Sequence, residues 1–301
     1  SKVKLTVFRE DTTEPLEITV TRDVIKIKSA RARAEGDDIA YLRVTQFTEQ
    51  TTDLMREEFA NIKKDLPNLR GVVLDLRNNP GGLLDQSVSI SDAFLKQGEV
   101  VSTRERNPEK TKRYSAISGN ELVADDVPIV VLINSGSASA SEIVSGALQD
   151  HKRAIIMGTK SFGKGSVQTV IPIPEHGAIR LTTARYYTPS GHSIQNKGII
   201  PDIEVQQAKI ESLKGNDKMR SESQLRKRLE NLQDKKEKEK KPTEGKEKKP
   251  TEKNGNGSKN NGDNGNESKK TDVDSADDFQ LQRAIDLLRG LNVYTNIKSE
   301  K

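Results

Sequence analysis

The sequence predicts a mixed α/β layer fold with a β-rich end, joined to a polar segment of different character. Three observations predict it. From Ile39 onward, strand-length apolar runs alternate with stretches of helical period, the pattern of strands covered by helices. The longest apolar run, Val127 to Ile133, has the length of a strand and falls far short of the ~20 residues a membrane helix needs. The 301 residues are 32% hydrophobic and 32% charged, too polar for a chain packed throughout, so a folded part is joined to one that cannot bury enough apolar surface to offset its ordering entropy.

Taken in order, residues 1–27 hold two alternating, β-branched strands, Val3–Arg9 and Leu16–Thr21, which need a further partner because two strands alone are marginal. Ile39–Val44 reads as a strand. Residues 51–65 carry Leu54, Met55, Phe59 and Ile62 on one helical face. Gly71–Leu76 is an apolar strand closed by Arg77-Asn78-Asn79-Pro80-Gly81-Gly82, a strong turn signal, and a second helical stretch follows from Leu83 to Phe94. The strand at Val127–Ile133 leads into a helix through about Gln149, then a short strand at Ala154–Met157 and a hairpin of Val167–Ile173 with Ala178–Tyr187. Residues 206–233 are polar and read as partly helical, with Leu225, Leu229 and Leu232 on one face. Residues 234–275 are low complexity and read as a disordered linker: Lys-Glu-Lys-Lys-Pro-Thr-Glu occurs at 238–244 and again at 246–252, ahead of a Gly/Asn/Ser tract. The final segment, 276–301, reads as an amphipathic helix capped by Asp277 or Asp278, stopped at Gly290 and docked on the folded body, since alone it would be marginal.

Composition removes several classes of function. With no cysteine there is no disulfide framework, zinc–cysteine site or thiol catalysis, and the three histidines lie scattered with no metal-ligand spacing. No cofactor or metal is expected. The net charge of +5, from 50 basic and 45 acidic residues, is small for the length. Its lysines are interleaved with glutamates, which argues against a nucleic-acid partner.

What remains is hydroxyl chemistry. Ser135, Ser137, Ser139 and Ser141 crowd the window directly after the Val127–Ile133 strand. A serine at the first turn of a helix meets free backbone N–H groups and the positive end of the helix dipole, both of which favour an oxyanion nearby. Yet Ser139-Ala140-Ser141-Glu142 also fits the Ser-x-x-Glu capping box, and local sequence does not choose among the serines. Lys164 lies in Gly163-Lys164-Gly165; a lysine serves as a general base only when neutral, which desolvation promotes. The same triplet reads as an exposed turn. A phosphate loop fits poorly, because Gly165 stands where the Walker pattern needs Ser or Thr. The glycines of Arg77–Gly82 offer N–H groups for an oxyanion hole or form a plain strand-to-helix turn.

Four blocks in order resemble those of the C-terminal processing (tail-specific) peptidases, a family of serine proteases: Val73–Gly82, Gly136–Glu142, Gly158–Gln168, and Tyr187–Gly191 continuing to Gly198–Ile203. The resemblance implies a crotonase-like α/β protease core over 28–205 and hydrolysis of peptide bonds in protein or peptide substrates. It aligns Ser139 with the family's nucleophile and Lys164, 25 residues on, with its base, and gives Gln168 the role of orienting the lysine amine. It assigns the oxyanion hole to the Ala140 N–H and that of Gly81 or Gly82. It further implies that Lys2–Val20 is the end of a PDZ domain (residues 1–27), that the protein is extracytoplasmic, with any membrane association through a segment upstream of Ser1, and that it is a homodimer. The alternative is a catalytically silent peptide-binding or scaffold protein of the same fold.

Overall fold

A computed structural model describes residues 1–9, 14–23, 28–209 and 278–299. Strands β1 (Lys2–Val7) and β2 (Leu16–Thr21) pair antiparallel in a two-stranded sheet of their own. The chain continues through β3 (Ala30–Glu35), β4 (Ile39–Val44), α1 (Thr51–Lys63), β5 (Gly71–Asp75), α2 (Leu84–Asp92), β6 (Gly98–Glu105), β7 (Lys112–Ala116), β8 (Ile129–Ile133) and α3 (Ala140–Asp150). It then forms β9 (Ile155–Gly158), β10 (Ser166–Ile173), β11 (Gly177–Tyr187), β12 (Ile203–Glu204) and a terminal helix, α4 (Phe279–Ser299). Six strands make the central sheet in the order β12-β9-β8-β5-β4-β3, parallel except for the β3–β4 pair. A four-stranded antiparallel sheet, β10-β11-β6-β7, supplies the β-rich end.

The continuous apolar runs of β5 and β8 are explained by burial on both faces. Successive side chains of a strand point to opposite faces, and the core divides accordingly. Leu42, Leu74, Val131 and Ile156 pack with Met55, Phe59, Ile90, Ile143, Val144 and Leu148 of α1–α3. Tyr41, Val73, Val130, Leu132 and Met157 pack instead with Leu281, Ala284, Ile285 and Leu288 of α4. The helix at the end of the chain thus covers the second face of the sheet, as its expected docking requires.

The structure departs from the sequence reading in two ways. Strands β3, β6, β7 and β12 carry too much charge or too few residues to stand out; β3, Ala-Arg-Ala-Arg-Ala-Glu, is ordered by antiparallel pairing with β4 rather than by its own apolarity. Gly290 does not stop α4, which runs to Ser299. An exposed glycine inside a helix costs only about 1 kcal/mol against alanine, and docking on both sides of it offsets this: Leu288 is buried, and Asn292 Nδ2 donates to the Arg70 carbonyl at 2.7 Å. The expected cap is Asp278, whose Oδ1 accepts the Leu281 N–H at 3.2 Å. The expected linker, most of the partly helical stretch before it and Asp277 lie outside the described residues. Among the described residues, no helix is long and apolar enough to cross a membrane.

Candidate active site

Three neighbouring parallel strands, β5, β8 and β9, deliver three loops to the same edge of the central sheet, the C-terminal edge where α/β sheets form their crevices. The Arg77–Gly82 turn follows β5, the serine window follows β8, and the segment containing Lys164 follows β9.

Ser139 sits between β8 and α3 at φ +56°, ψ −110°. L-residues rarely adopt this backbone, which costs of order 1–3 kcal/mol and persists only where surroundings enforce it. The enforcement is visible. Ser137 Oγ donates to the Leu76 carbonyl at 2.8 Å, and the Asn79 carbonyl accepts both the Ala138 N–H and Ser141 Oγ, each at 2.9 Å. The hydroxyls of Ser137 and Ser141 are therefore committed to the backbone of the neighbouring turn and Ser135 is exposed, whereas the half-buried Ser139 hydroxyl faces the Glu142 N–H of the capping box and donates to no carbonyl among the described residues. The Ser-x-x-Glu pairing is present, and it acts through Glu142: its Oε2 accepts the Ser139 N–H at 2.8 Å. The Glu142 N–H reaches the Ser139 backbone carbonyl at 2.9 Å.

Glu142 does more than cap. It is fully buried, and its oxygens accept four hydrogen bonds: Oε1 from Ser161 Oγ and the Gly163 N–H, both 2.6 Å, and Oε2 from Ser139 and from the Lys164 N–H at 2.9 Å. One carboxylate therefore fixes the backbone of both residues that the resemblance pairs. In the sequence Glu142 stands out only as a capping residue; its second set of partners, 19–22 residues downstream, leaves no mark on a local pattern.

The Arg77–Gly82 turn closes against the serine. Gly81, at φ +101°, approaches so closely that a Cβ there would meet Ser139 Cβ at 2.8 Å and the Ala140 nitrogen at 3.0 Å. Its N–H is already bound to Asn79 Oδ1 at 2.9 Å. Gly82 bridges Phe47 through its neighbours, with Phe47 N–H donating to the Gly81 carbonyl and Leu83 N–H to the Phe47 carbonyl. Among the described residues, the N–H groups of Gly82 and Ala140 have no acceptor, and Gly82 is exposed. The structure thus brings Ser139, Ala140, Gly81 and Gly82 together, with Lys164 tied in through its backbone. It does not close the side chains: Lys164 is exposed, and neither Ser139 Oγ nor the Gln168 amide is hydrogen-bonded to its amine. Gln168 lies on β10 at a bulge, opposite Thr182.

A strained serine between a strand and a helix, with unpaired N–H groups in the adjoining backbone, is an arrangement that can host a nucleophile and an oxyanion. Residues 38–205 match the model of peptidase family S41, and the chain belongs to that family. It is 54% identical over 234 residues to a carboxy-terminal-processing protease of Bartonella bacilliformis, covering 77% of this chain and 53% of that protein. It is 36% identical over 214 residues to a carboxyl-terminal-processing protease of Synechocystis sp., covering 70% and 49%. Among solved structures it resembles a photosystem II D1 C-terminal processing protease with a TM-score of 0.54 at 30% identity, over 68% of this chain and 56% of that one. The chain spans about half the length of the curated relatives it matches.

Proposed function

We propose that this chain carries the catalytic core of a serine endopeptidase that cleaves protein or peptide substrates near their C-termini, with Ser139 as nucleophile and Lys164 as base. The observation that carries the reading is the strained Ser139 turn, whose backbone shares one buried carboxylate with that of Lys164. In the reaction, Lys164 Nζ takes the hydroxyl proton as Ser139 Oγ attacks the scissile carbonyl carbon. Negative charge gathers on the carbonyl oxygen, where the unpaired N–H groups of Gly82 and Ala140 stabilise it. The C–N bond breaks, the lysine returns its proton to the leaving amine, and water then hydrolyses the acyl-enzyme. A neutral lysine base needs desolvation, and Lys164 is exposed. Bound substrate therefore covers it and brings its amine onto Ser139, and Gln168 holds the amine from the far side. Residues 1–27 as the end of a peptide-binding PDZ domain, an extracytoplasmic location and a homodimeric assembly belong to the same reading.

The test uses the purified chain and a fluorogenic peptide with a free C-terminus. Ser139→Ala and Lys164→Ala each lower kcat by roughly a thousandfold or more with circular dichroism and thermal midpoint unchanged. Wild-type turnover in Lys164→Ala would falsify the dyad, and an inactive wild type that also resists serine-directed acylating probes favours the silent scaffold.

A further inference from the structure

The side chain that opens the Arg77–Gly82 turn is held by the terminal helix. Arg77 is nearly buried, with 9% of its side chain exposed. On one side its guanidinium forks onto Asp75, with Nε to Oδ1 at 3.0 Å and Nη2 to Oδ2 at 2.7 Å. On the other it forks onto Asp278 at the start of α4, with Nη1 to Oδ1 at 2.8 Å and Nη2 to Oδ2 at 2.6 Å. Nη1 also donates to Gln280 Oε1 at 3.0 Å, while Gln280 Nε2 donates to the Val205 carbonyl at 2.7 Å. Two bidentate forks fix a planar guanidinium in both position and tilt. Asp75, wholly buried, is held in turn by Tyr41 Oη and Arg43 Nη1, each at 2.7 Å. The cluster of Asp75, Asp278, Arg43 and Arg77 is charge-balanced only with Asp278 in place.

The backbone leaving Arg77 has no slack. Asn78 follows directly at φ +56°, its N–H bound to Asn134 Oδ1 at 2.9 Å. Asn79 then supplies the carbonyl that fixes Ala138 and Ser141 and the side chain that takes the Gly81 N–H. Four residues separate Arg77 from Gly82 and its unpaired N–H, and an oxyanion donor displaced by even 1 Å loses much of its effect.

We propose that Asp278 and Gln280 are positioning residues of the proteolytic site: acting through Arg77, they set the Arg77–Gly82 turn, so that the terminal helix is part of the catalytic centre and not an appendage to it. This rests on the peptidase reading above. The helix is attached at two points that can be told apart, because Arg289, near its middle, bonds Asp38 at 3.0 Å far along the helix from Arg77.

The full chain is made as wild type, Asp278→Asn, Asp278→Glu, Gln280→Leu and Arg289→Ala, with selective 15N-glycine labelling. Asp278→Asn keeps the shape, removes the charge and turns a donor toward Arg77; it is expected to lower kcat about tenfold or more with KM within about twofold, Gln280→Leu to lower it less, and Asp278→Glu to restore most of it. Arg289→Ala loosens the helix without touching Arg77 and leaves kcat unchanged. The amide signals of Gly81 and Gly82 report the turn whether or not substrate is cleaved: they shift in Asp278→Asn and stay in place in Arg289→Ala. A wild-type kcat in Asp278→Asn overturns the proposal, as does an equal loss in Arg289→Ala, which would mean that the helix acts only through stability. Unmoved glycine signals in Asp278→Asn overturn it even with an inactive wild type, an outcome that counts separately against the peptidase reading.

Discussion

Glu142 is a buried carboxylate served by neutral donors on two segments of chain: the Ser139 N–H on one, and the Ser161 hydroxyl and the N–H groups of Gly163 and Lys164 on the other. In Glu142→Gln one acceptor oxygen becomes an NH2 group facing backbone donors, which strands at least one of them in the interior. Hydrogen bonds to a charged group contribute about 1.5–3 kcal/mol each, and stranding a donor adds its desolvation penalty. We expect a loss of about 2–4 kcal/mol, read as a lower urea midpoint at unchanged m-value. A near-neutral midpoint would mean that the carboxylate does not clamp the two loops. The serine window was legible as chemistry, but its assignments were not. Ser137 and Ser141 donate to carbonyls 61 and 62 residues away, and only after those bonds are drawn does Ser139 emerge as the strained serine whose hydroxyl proton is not given to the neighbouring turn.

Elements were legible wherever their own period was strong. The strand at Ile39–Val44 follows from its apolar run, the hairpin after Lys164 from its turn at Glu175–Gly177, and α1 from its Met55–Phe59–Ile62 stripe. The end of α4 was not, because Gly290 is a stop signal that the docked helix overrides. A Cβ at Gly290 would meet nothing within 4 Å. Gly290→Ala therefore raises stability by up to about 1 kcal/mol, seen as a higher thermal midpoint. Had the residue been a left-handed cap, the same change would lower it. Strand β3 marks the opposite limit: an Ala/Arg alternation becomes a strand only because β4 offers it a complete ladder.

Across the whole molecule, the Asp75–Arg77–Asp278 cluster joins residues 201 positions apart in sequence and makes the fold acid-sensitive. Burial pushes the Asp75 carboxyl up, but Arg77, Arg43 and the Tyr41 hydroxyl outweigh it and hold its pKa below the usual 3.8. Burial likewise raises Asp278, and its bonds to Arg77 and the Leu281 N–H bring it below the same value. A carboxylate lowered in the folded state contributes stability that is complete above its unfolded pKa and is lost as pH falls through the folded one. The thermal midpoint should therefore drop as pH falls below about 4, the ordinary Asp value, and drop less steeply in Asp278→Asn; equal slopes in the two proteins would contradict the linkage.

The sequence alone determined the alternation of strands and helices, the turn and serine motifs, the family they resemble, and the need for a terminal helix to dock. Each is written within a few residues or in an ordered set of short blocks, because periodicity and turn chemistry act locally. The tertiary structure decided which serine is held in a strained backbone, which glycine of the turn keeps an open N–H, what Glu142 holds, and that α4 covers the second face of the sheet and grips Arg77. These depend on hydrogen bonds and packing between segments some 20 to 200 residues apart, contacts that exist only after the three loops converge at one edge of the sheet and that no local pattern encodes.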